Sequence, residues 1–236
     1  MNTKYKRILI KLSGEAIGKE NGRDIDSKKL EKVVKQLVNI HDLGVQIAIV
    51  IGAGNFWRGK YGEEYMERTT SDYMGMLATT LNALAIQDMI ESKGIQTSVM
   101  SAIEMREIAE PYIRRKAIKH LQHGRIVIFA CGTGNPYFTT DSAAALRALE
   151  IESEAIFLAK NVDGVYNKDP KVFPDAIKYD DITYLKVVEE KLLVMDATAV
   201  TLCMENNMPI YVFALNENKS IERVLMGEKI GTRIEG

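Results

Sequence analysis

The stretch RIVIFACGTGNPYFTTDSAAALRALE, residues 125–150, joins an apolar segment to an alanine-rich segment through a loop rich in glycine and threonine. Residues 125–130 have the composition of a buried strand, and residues 142–149 have that of a helix. A hairpin connection needs only about two to five residues, and a packed core needs no such polar loop. The stretch therefore predicts a strand, a ligand-binding loop and a helix in succession.

The same alternation of strand-like and helix-like segments extends from this stretch in both directions. Apolar runs predict further strands at residues 7–12, 45–51, 95–100, 155–159 and 210–214. Helical spacing or composition predicts further helices at residues 27–43, 71–92, 113–122, 196–206 and 220–226, the first capped by Ser27 and ended by Gly44. Such alternation predicts an α/β fold with a central, mainly parallel sheet and helices on both faces. Because no linker, repeat or low-complexity block interrupts it, we expect residues 1–236 to form one domain.

Composition excludes several classes of protein. The chain has 46% hydrophobic and 27% charged residues, which is ordinary for a globular protein, and its net charge of −1 argues against binding to nucleic acid or anionic membranes. Cys131 and Cys203 are too far apart for a zinc motif or a disulfide framework. We see no signal peptide and no apolar run long enough to span a membrane, so we expect a cytoplasmic protein.

Four glycine-bearing loops follow four of the predicted strands, at residues 11–14, 52–59, 131–141 and 160–170. In an open parallel sheet, ligands bind outside the carboxyl ends of the strands, so these loops predict one common site. Lys11 in KLSG and Arg58 in GAGNFWRG suit phosphate oxygens. A dinucleotide fingerprint fails at Trp57, and a Walker A loop is absent.

Several of these residues also have simpler interpretations. Lys11 could be a solvated lysine in an ordinary turn, and Trp57 is better interpreted as a packing or interface residue. Asp72, Asp141 and Asp196 each stand near a predicted helix start, where each could be an N-cap or a site residue. One face of the 71–92 helix is apolar and predicts core or subunit contacts, through Met74, Met76, Leu77, Leu81, Leu84, Ala85 and Met89.

Five segments together resemble bacterial uridylate (UMP) kinases, which belong to the amino acid kinase superfamily. They are KLSGEA (11–16), GAGNFWRG (52–59), SDYMGMLATTLNALA (71–85), GTGNPYFTTDSAAALRALE (132–150) and NVDGVYNKDP (161–170). The similarity runs in order along essentially the whole chain. It implies a three-layer α/β/α domain that assembles as a homohexamer and transfers the γ-phosphoryl group of ATP to UMP with Mg²⁺. UTP as an inhibitor and GTP as an effector are further implications of the resemblance.

The resemblance also implies roles for individual residues. The implied ATP-binding residues are Lys11, Leu12, Ser13, Gly14, Gly54, Arg58, Asn161, Tyr166 and Asp169. The implied UMP-binding residues are Ala53, Asp72, Thr133, Gly134, Asn135, Pro136, Tyr137, Phe138, Thr139 and Thr140, with Asp72 facing the ribose. The candidate catalytic residues are Lys11, with Asp196 to orient it, and Asp141, which would contact the lysine or magnesium.

The chemistry implied by the resemblance needs no general base, because the acceptor phosphate is already ionised at neutral pH. This chain has Ala53 where many relatives have glycine, which is tolerable if φ is negative there. It also lacks a glycine at Asp24, in a loop tied to GTP activation in part of the family. Two alternatives stay open: another kinase of the same superfamily, and a sensor that binds a uridine nucleotide without turnover.

Overall fold

The computed structural model describes residues 3–20, 24–57 and 66–236 of the chain. Within them the strands are β1 (Arg7–Leu12), β2 (Gln46–Ile51), β3 (Thr97–Ser101), β4 (Glu110–Pro111), β5 (Ile126–Ala130), β6 (Ala155–Lys160), β7 (Val165–Tyr166), β8 (Lys178–Tyr179), β9 (Asp181–Ile182), β10 (Ile210–Ala214) and β11 (Thr232–Ile234). The α-helices are α1 (Ser27–His41), α2 (Arg68–Glu91), α3 (Arg114–Gln122), α4 (Thr140–Glu150), α5 (Tyr184–Glu189), α6 (Ala197–Glu205) and α7 (Ser220–Leu225).

The main sheet has the strand order β4-β3-β5-β2-β1-β6-β10-β11-β9. Its neighbouring strands are parallel, with the exception of β10 and β11, which are antiparallel. Lys11 near the end of β1 pairs with Val50 of β2 on one side and Leu158 of β6 on the other. The strands β5, β2, β1 and β6 are adjacent, so the described parts of the four glycine-bearing loops that follow them start side by side at the carboxyl ends of these strands.

Helices cover both faces of this sheet. Along β1, Ile8, Ile10 and Leu12 pack into a core shared with α1, α2 and α7, while Leu9 packs into a second core with α3, α4, α5 and α6. Alternate residues of a strand point to opposite faces, so one nearly continuous apolar strand supplies both cores. Each fully buried Leu or Ile side chain contributes about 1.5–3 kcal/mol. The expected three-layer α/β/α architecture is confirmed.

The sequence pattern does not predict the shortest strands and helix α5. The strands β4, β7, β8, β9 and β11 contain two or three residues each, and α5 contains six. Segments of this length are too short to show a periodicity of their own. None of the helices in residues 3–20, 24–57 and 66–236 combines the length and apolar character that a membrane crossing requires.

The ends of α1 correct one prediction and confirm another. Asp26, rather than Ser27, is the N-cap, because its carboxylate accepts hydrogen bonds from the backbone N–H groups of Lys28 and Lys29 at 2.9 and 3.1 Å. Gly44 has a φ of +81° and donates its N–H to the carbonyl of His41. Glycine adopts this left-handed conformation without strain, so it ends the helix as predicted.

The three aspartates near helix starts differ in their positions. The helix α2 begins at Arg68, so Asp72 lies one turn inside it and is not an N-cap. The helix α4 begins at Thr140 and is capped by Thr139, which leaves Asp141 in the first turn. Asp196 does cap α6, because its carboxylate accepts the Ala199 N–H at 2.9 Å. The capping alternative is therefore wrong for Asp72 and Asp141 and correct for Asp196.

Candidate active site

A cavity of about 320 Å³ lies where the loops after β1, β2 and β5 meet the first turns of α2 and α4. It is lined by Lys11, Ser13, Gly14, Gly52, Ala53, Gly54, Trp57, Ser71, Asp72, Gly75, Met76, Thr79, Gly132, Thr133, Asn135, Phe138, Thr139 and Thr140. We call this space the central cavity. Three of the four predicted loops therefore converge on it.

Lys11 and Asp141 form an ion pair beside the central cavity. Lys11 Nζ lies 2.8 Å from Asp141 Oδ1, and their side chains are only 14% and 20% exposed. The Asp141 oxygen is buried and makes no contact of hydrogen-bond geometry in the described part of the chain, so the attraction is ionic. The pair fixes a positive charge close to the N-terminus of α4, where backbone N–H groups favour anions.

Asp196 contacts the start of α4 instead of Lys11. It accepts a hydrogen bond from the hydroxyl of Ser142 at 3.1 Å and another from the hydroxyl of Thr139. Because Asp196 also caps α6, it joins the N-termini of two helices. The lysine contact comes from Asp141, so any effect of Asp196 on Lys11 passes through α4.

The two glycine-bearing loops after β1 and β2 are packed directly against each other. A Cβ atom at Gly14 would lie 2.7 Å from the backbone nitrogen of Gly54, closer than real Cβ atoms come. Asn55 and Asn82 are buried and exchange side-chain hydrogen bonds of 2.9 and 2.8 Å, and Asn82 also donates to the Gly52 carbonyl at 2.8 Å. Helix α2 thereby holds the second loop in place.

Ala53 fits where many relatives have glycine. Among the described residues, it is not one of the non-glycine positions with positive φ. Trp57 donates its indole N–H to the Ser71 hydroxyl at 3.2 Å and packs beside Gly75 of α2. The packing interpretation of Trp57 is thus confirmed, although its side chain also lines the central cavity.

We call residues 131–139 the β5–α4 loop, and Asp72 connects its tip to α2. The Asp72 carboxylate accepts the Tyr137 backbone N–H at 2.8 Å and the Arg68 Nε–H at 3.0 Å. The Arg68 guanidinium also lies 5.4 Å from the centre of the Tyr137 ring. Gly134 has a φ of +81° and passes close to the Ala102 carbonyl, so the loop needs a glycine there.

The predicted ATP-binding residues are distributed over three cavities. Lys11, Ser13, Gly14 and Gly54 line the central cavity, and Leu12 is a buried core residue that offers only its backbone. Tyr166 and Asp169 line a cavity of about 330 Å³ after β6, and Asn161 lines a cavity of about 790 Å³ that also reaches Gly54. Arg58 lies outside the described residues.

A model of the amino acid kinase family matches residues 6–214. The chain belongs to the amino acid kinase family. It is 56% identical to the uridylate kinase of Pediococcus pentosaceus over 235 aligned residues. The alignment covers 99% of this chain and 98% of that protein. The UMP kinase structure of Bacillus anthracis superposes with a TM-score of 0.96 at 41% identity, covering 98% and 96% of the two chains. The UMP kinase structure of Ureaplasma parvum superposes with a TM-score of 0.92 at 39% identity, and the match covers 99% of this chain and 100% of that chain. These findings confirm the resemblance to bacterial uridylate kinases and the fold that it implies.

Lys160 at the end of β6 is a charged residue that the sequence analysis did not select. It donates to the Leu193 carbonyl at 3.5 Å and also contacts the Val194 carbonyl. Burial lowers the pKa of the Lys160 ammonium, Asp141 opposes that effect, and Lys11 adds to it. The charge on Lys160 is therefore sensitive to the Lys11–Asp141 pair. A lysine at a strand end before a glycine-bearing loop was an available signal, since the same pattern selected Lys11.

The donor groups of this site fit a magnesium ion that is held mainly by its nucleotide. Asp141 presents a carboxylate beside the central cavity, with its Oδ1 oxygen paired to Lys11, and no group of three or more His, Cys, Asp or Glu side chains that could hold a metal ion occurs in the described ranges. Mg²⁺ commonly uses only one or two protein carboxylates together with water and substrate phosphates. The residues present therefore suit Mg²⁺ that arrives with ATP.

Proposed function

We propose that this chain is a UMP kinase, which transfers the γ-phosphoryl group of ATP to UMP and releases UDP and ADP. The observation that carries the proposal is the Lys11–Asp141 pair at the end of β1. The pair lies between the β5–α4 loop on one side and the loop after β6 on the other. The uridylate kinases among the relatives support the choice of nucleotide.

The strand order supports one arrangement of the two proposed nucleotides. The strands β2 and β1 lie between β5 and β6. Neighbouring strands are about 4.8 Å apart, so the loops that follow β5 and β6 start about 14 Å from each other. UMP would lie against the β5–α4 loop and ATP against the loop after β6. Their phosphates would then meet above β1 and β2, beside Lys11.

The acceptor half of the site is proposed to bind UMP through three kinds of group. Asp72 would accept a hydrogen bond from the ribose, and Thr133 and Asn135 would contact uracil together with loop backbone groups. The phosphate would bind at the N-terminus of α4, where Thr140 and the backbone N–H groups favour an anion. Gly134, Pro136, Tyr137, Phe138 and Thr139 complete this proposed segment.

The donor half is proposed to bind ATP along the edge of the sheet. Asn161, Tyr166 and Asp169 would hold the nucleoside end, and Ser13, Gly14 and Gly54 would offer backbone N–H groups to the phosphates. The contact expected from Arg58 stays a prediction from the sequence. Close packing of Gly14 against Gly54 supports a shared phosphate-binding surface.

The chemistry assigned to these residues is positioning and charge neutralisation. The acceptor oxygen carries no proton at neutral pH, so the site needs no general base. Lys11 would stabilise the negative charge that spreads over the transferred group, and Asp141 would hold the lysine in line. When bound with ATP, Mg²⁺ would neutralise further phosphate charge.

The resemblance supports a proposal for assembly and regulation. We propose a cytoplasmic homohexamer that is inhibited by UTP and responds to GTP. The exposed apolar side chains of α2 support an assembly, since Tyr73, Leu77 and Leu81 are 44%, 50% and 52% exposed and lie on one helix face.

A coupled assay of ADP release with ATP, Mg²⁺ and UMP, CMP, AMP or glutamate as acceptor tests the proposal. We expect UMP to give the highest kcat/KM and glutamate to give no turnover. Preference for a carboxylate would favour another kinase of the superfamily. Tight UMP binding without ADP release would identify a sensor instead.

A further inference from the structure

The β5–α4 loop starts with two consecutive residues in the left-handed region of the backbone. Cys131 has a φ of +61° and Gly132 a φ of +57°. A non-glycine residue rarely adopts this conformation, so its surroundings must hold it there. Cys131 is fully buried, which makes this turn the fixed base from which the exposed part of the loop extends.

Side chains from two helices hold this base. The hydroxyl of Thr79 on α2 accepts the Cys131 backbone N–H at 2.8 Å and donates to the Met76 carbonyl at 2.6 Å. Arg147 on α4 donates to the Gly132 carbonyl at 3.4 Å. The Arg147 guanidinium is itself fixed, 3.8 Å from the centre of the Tyr112 ring and 2.6 Å from the Glu150 carboxylate.

We propose that Thr79 is a positioning residue for acceptor binding, which sets the path of the β5–α4 loop through its bond to Cys131. The inference rests on the proposed function, because it assumes that this loop binds UMP. Thr79 is 2% exposed, and its single hydrogen is used by the Met76 carbonyl. It therefore acts on UMP through the loop rather than by donating to the nucleotide.

The neighbouring threonine supplies a matched control. Thr80 is 5% exposed on the same helix, and its hydroxyl lies 3.4 Å from the Cys131 sulfur. It thus touches the same residue as Thr79, but through the side chain and not through the loop backbone. A valine at either position keeps nearly the same shape and removes only the hydroxyl.

The test compares Thr79→Val, Thr79→Ser and Thr80→Val by steady-state kinetics and thermal unfolding. For Thr79→Val we expect the KM for UMP to rise about tenfold, since the buried Cys131 N–H loses its acceptor and the turn relaxes. The KM for ATP should change less than about twofold. Thr79→Ser keeps the hydroxyl, so the KM values for UMP and ATP should stay at the wild-type level. Thr80→Val should also leave both KM values unchanged.

Two results would overturn the inference: equal KM values for UMP in Thr79→Val and Thr80→Val, or a parallel rise of the KM values for UMP and ATP in Thr79→Val.

If Thr79→Val does not fold, Arg147→Lys replaces it, with Arg114→Lys as control. Arg114 contacts the Glu150 carbonyl and Glu152 but not the loop. Arg147→Lys should raise the KM for UMP alone, and an unchanged value would overturn the inference. A wild-type protein inactive with UMP would instead refute the proposed function.

Discussion

Lys11 and Asp141 act as one unit at the residue scale, because each neutralises the other in a partly buried position. Removing the lysine would leave the Asp141 carboxylate without its ionic partner beside the phosphates. For Lys11→Ala we expect kcat to fall by on the order of a hundredfold or more, as for loss of a transition-state contact. UMP should still bind, as measured by calorimetry. Unchanged kcat would remove Lys11 from the mechanism, and Lys93→Ala, at an exposed position just after α2, is the control.

Asp72 offers a second test at this scale. Asp72→Asn keeps the size of the side chain but removes the negative charge of the carboxylate. That carboxylate forms an ion pair with Arg68 and accepts a hydrogen bond from the Tyr137 backbone N–H. We expect the KM for UMP to rise about tenfold while the KM for ATP stays within about twofold. Asp88→Asn, exposed on the same helix, is the matched control. A change confined to ATP would refute the assignment of Asp72 to the ribose.

The N-cap of α1 gives a prediction at the scale of an element. Asp26 bonds two backbone N–H groups of the first turn, whereas Ser27 is the first helical residue. We expect Asp26→Ala to lower Tm by about 2–4 °C and Ser27→Ala to leave it nearly unchanged. Activity of the folded enzyme should be the same in both. The reverse order of Tm values would contradict the capping geometry.

The same cap gives a dependence on pH. Backbone hydrogen bonding from Lys29, followed by that from Lys28, holds the pKa of the Asp26 carboxyl below its usual range. A lowered folded-state pKa means that the stabilisation is complete above the unfolded value of about 3.9 and is lost as pH falls through the folded value. The Tm difference between wild type and Asp26→Ala should therefore be largest near about pH 7 and shrink below about pH 3. A constant difference would exclude the charged cap.

Much of the fold can be predicted because its long elements carry their own periodicity. The runs that form β1, β2, β5, β6 and β10 are apolar over most of their length, as expected for strands buried on both faces. Strands of two residues and the antiparallel β11 depend on tertiary pairing and leave no such pattern. The start of α2 at Arg68 was missed for a related reason, since its first turn lacks a side-chain cap.

The candidate site divides in the same way. Lys11 and Asp141 fall within the predicted glycine-bearing loops 11–14 and 131–141, and Asp72 stands near the start of a predicted helix. The partners of these residues depend on how the helices pack. The sequence alone therefore does not predict the Lys11–Asp141 pair or the contact of Asp196 with Ser142. Thr79 has no local motif beyond its place on a helix, whereas Lys160 stands at a strand end before a glycine-bearing loop, as Lys11 does.

At the scale of the whole molecule, the apolar face of α2 should bury against a second copy. Leu77 and Leu81 lie one turn apart and are each about half exposed. We expect Leu77→Glu with Leu81→Glu to reduce the mass measured by light scattering, because charges cannot be buried there unpaired. Leu185→Glu on α5, at a similarly exposed leucine, should leave the mass unchanged. An unchanged mass in the double variant would place the assembly surface elsewhere.

The central claim is that two nucleotides lie end to end across β5, β2, β1 and β6. The most direct measurement is a crystal structure with UMP and a non-hydrolysable ATP analogue. We expect uracil against residues 133–140, the ribose at Asp72 and the two phosphate groups meeting beside Lys11. A pyrimidine monophosphate bound away from the β5–α4 loop, or an analogue whose γ-phosphate is remote from Lys11, would contradict the account.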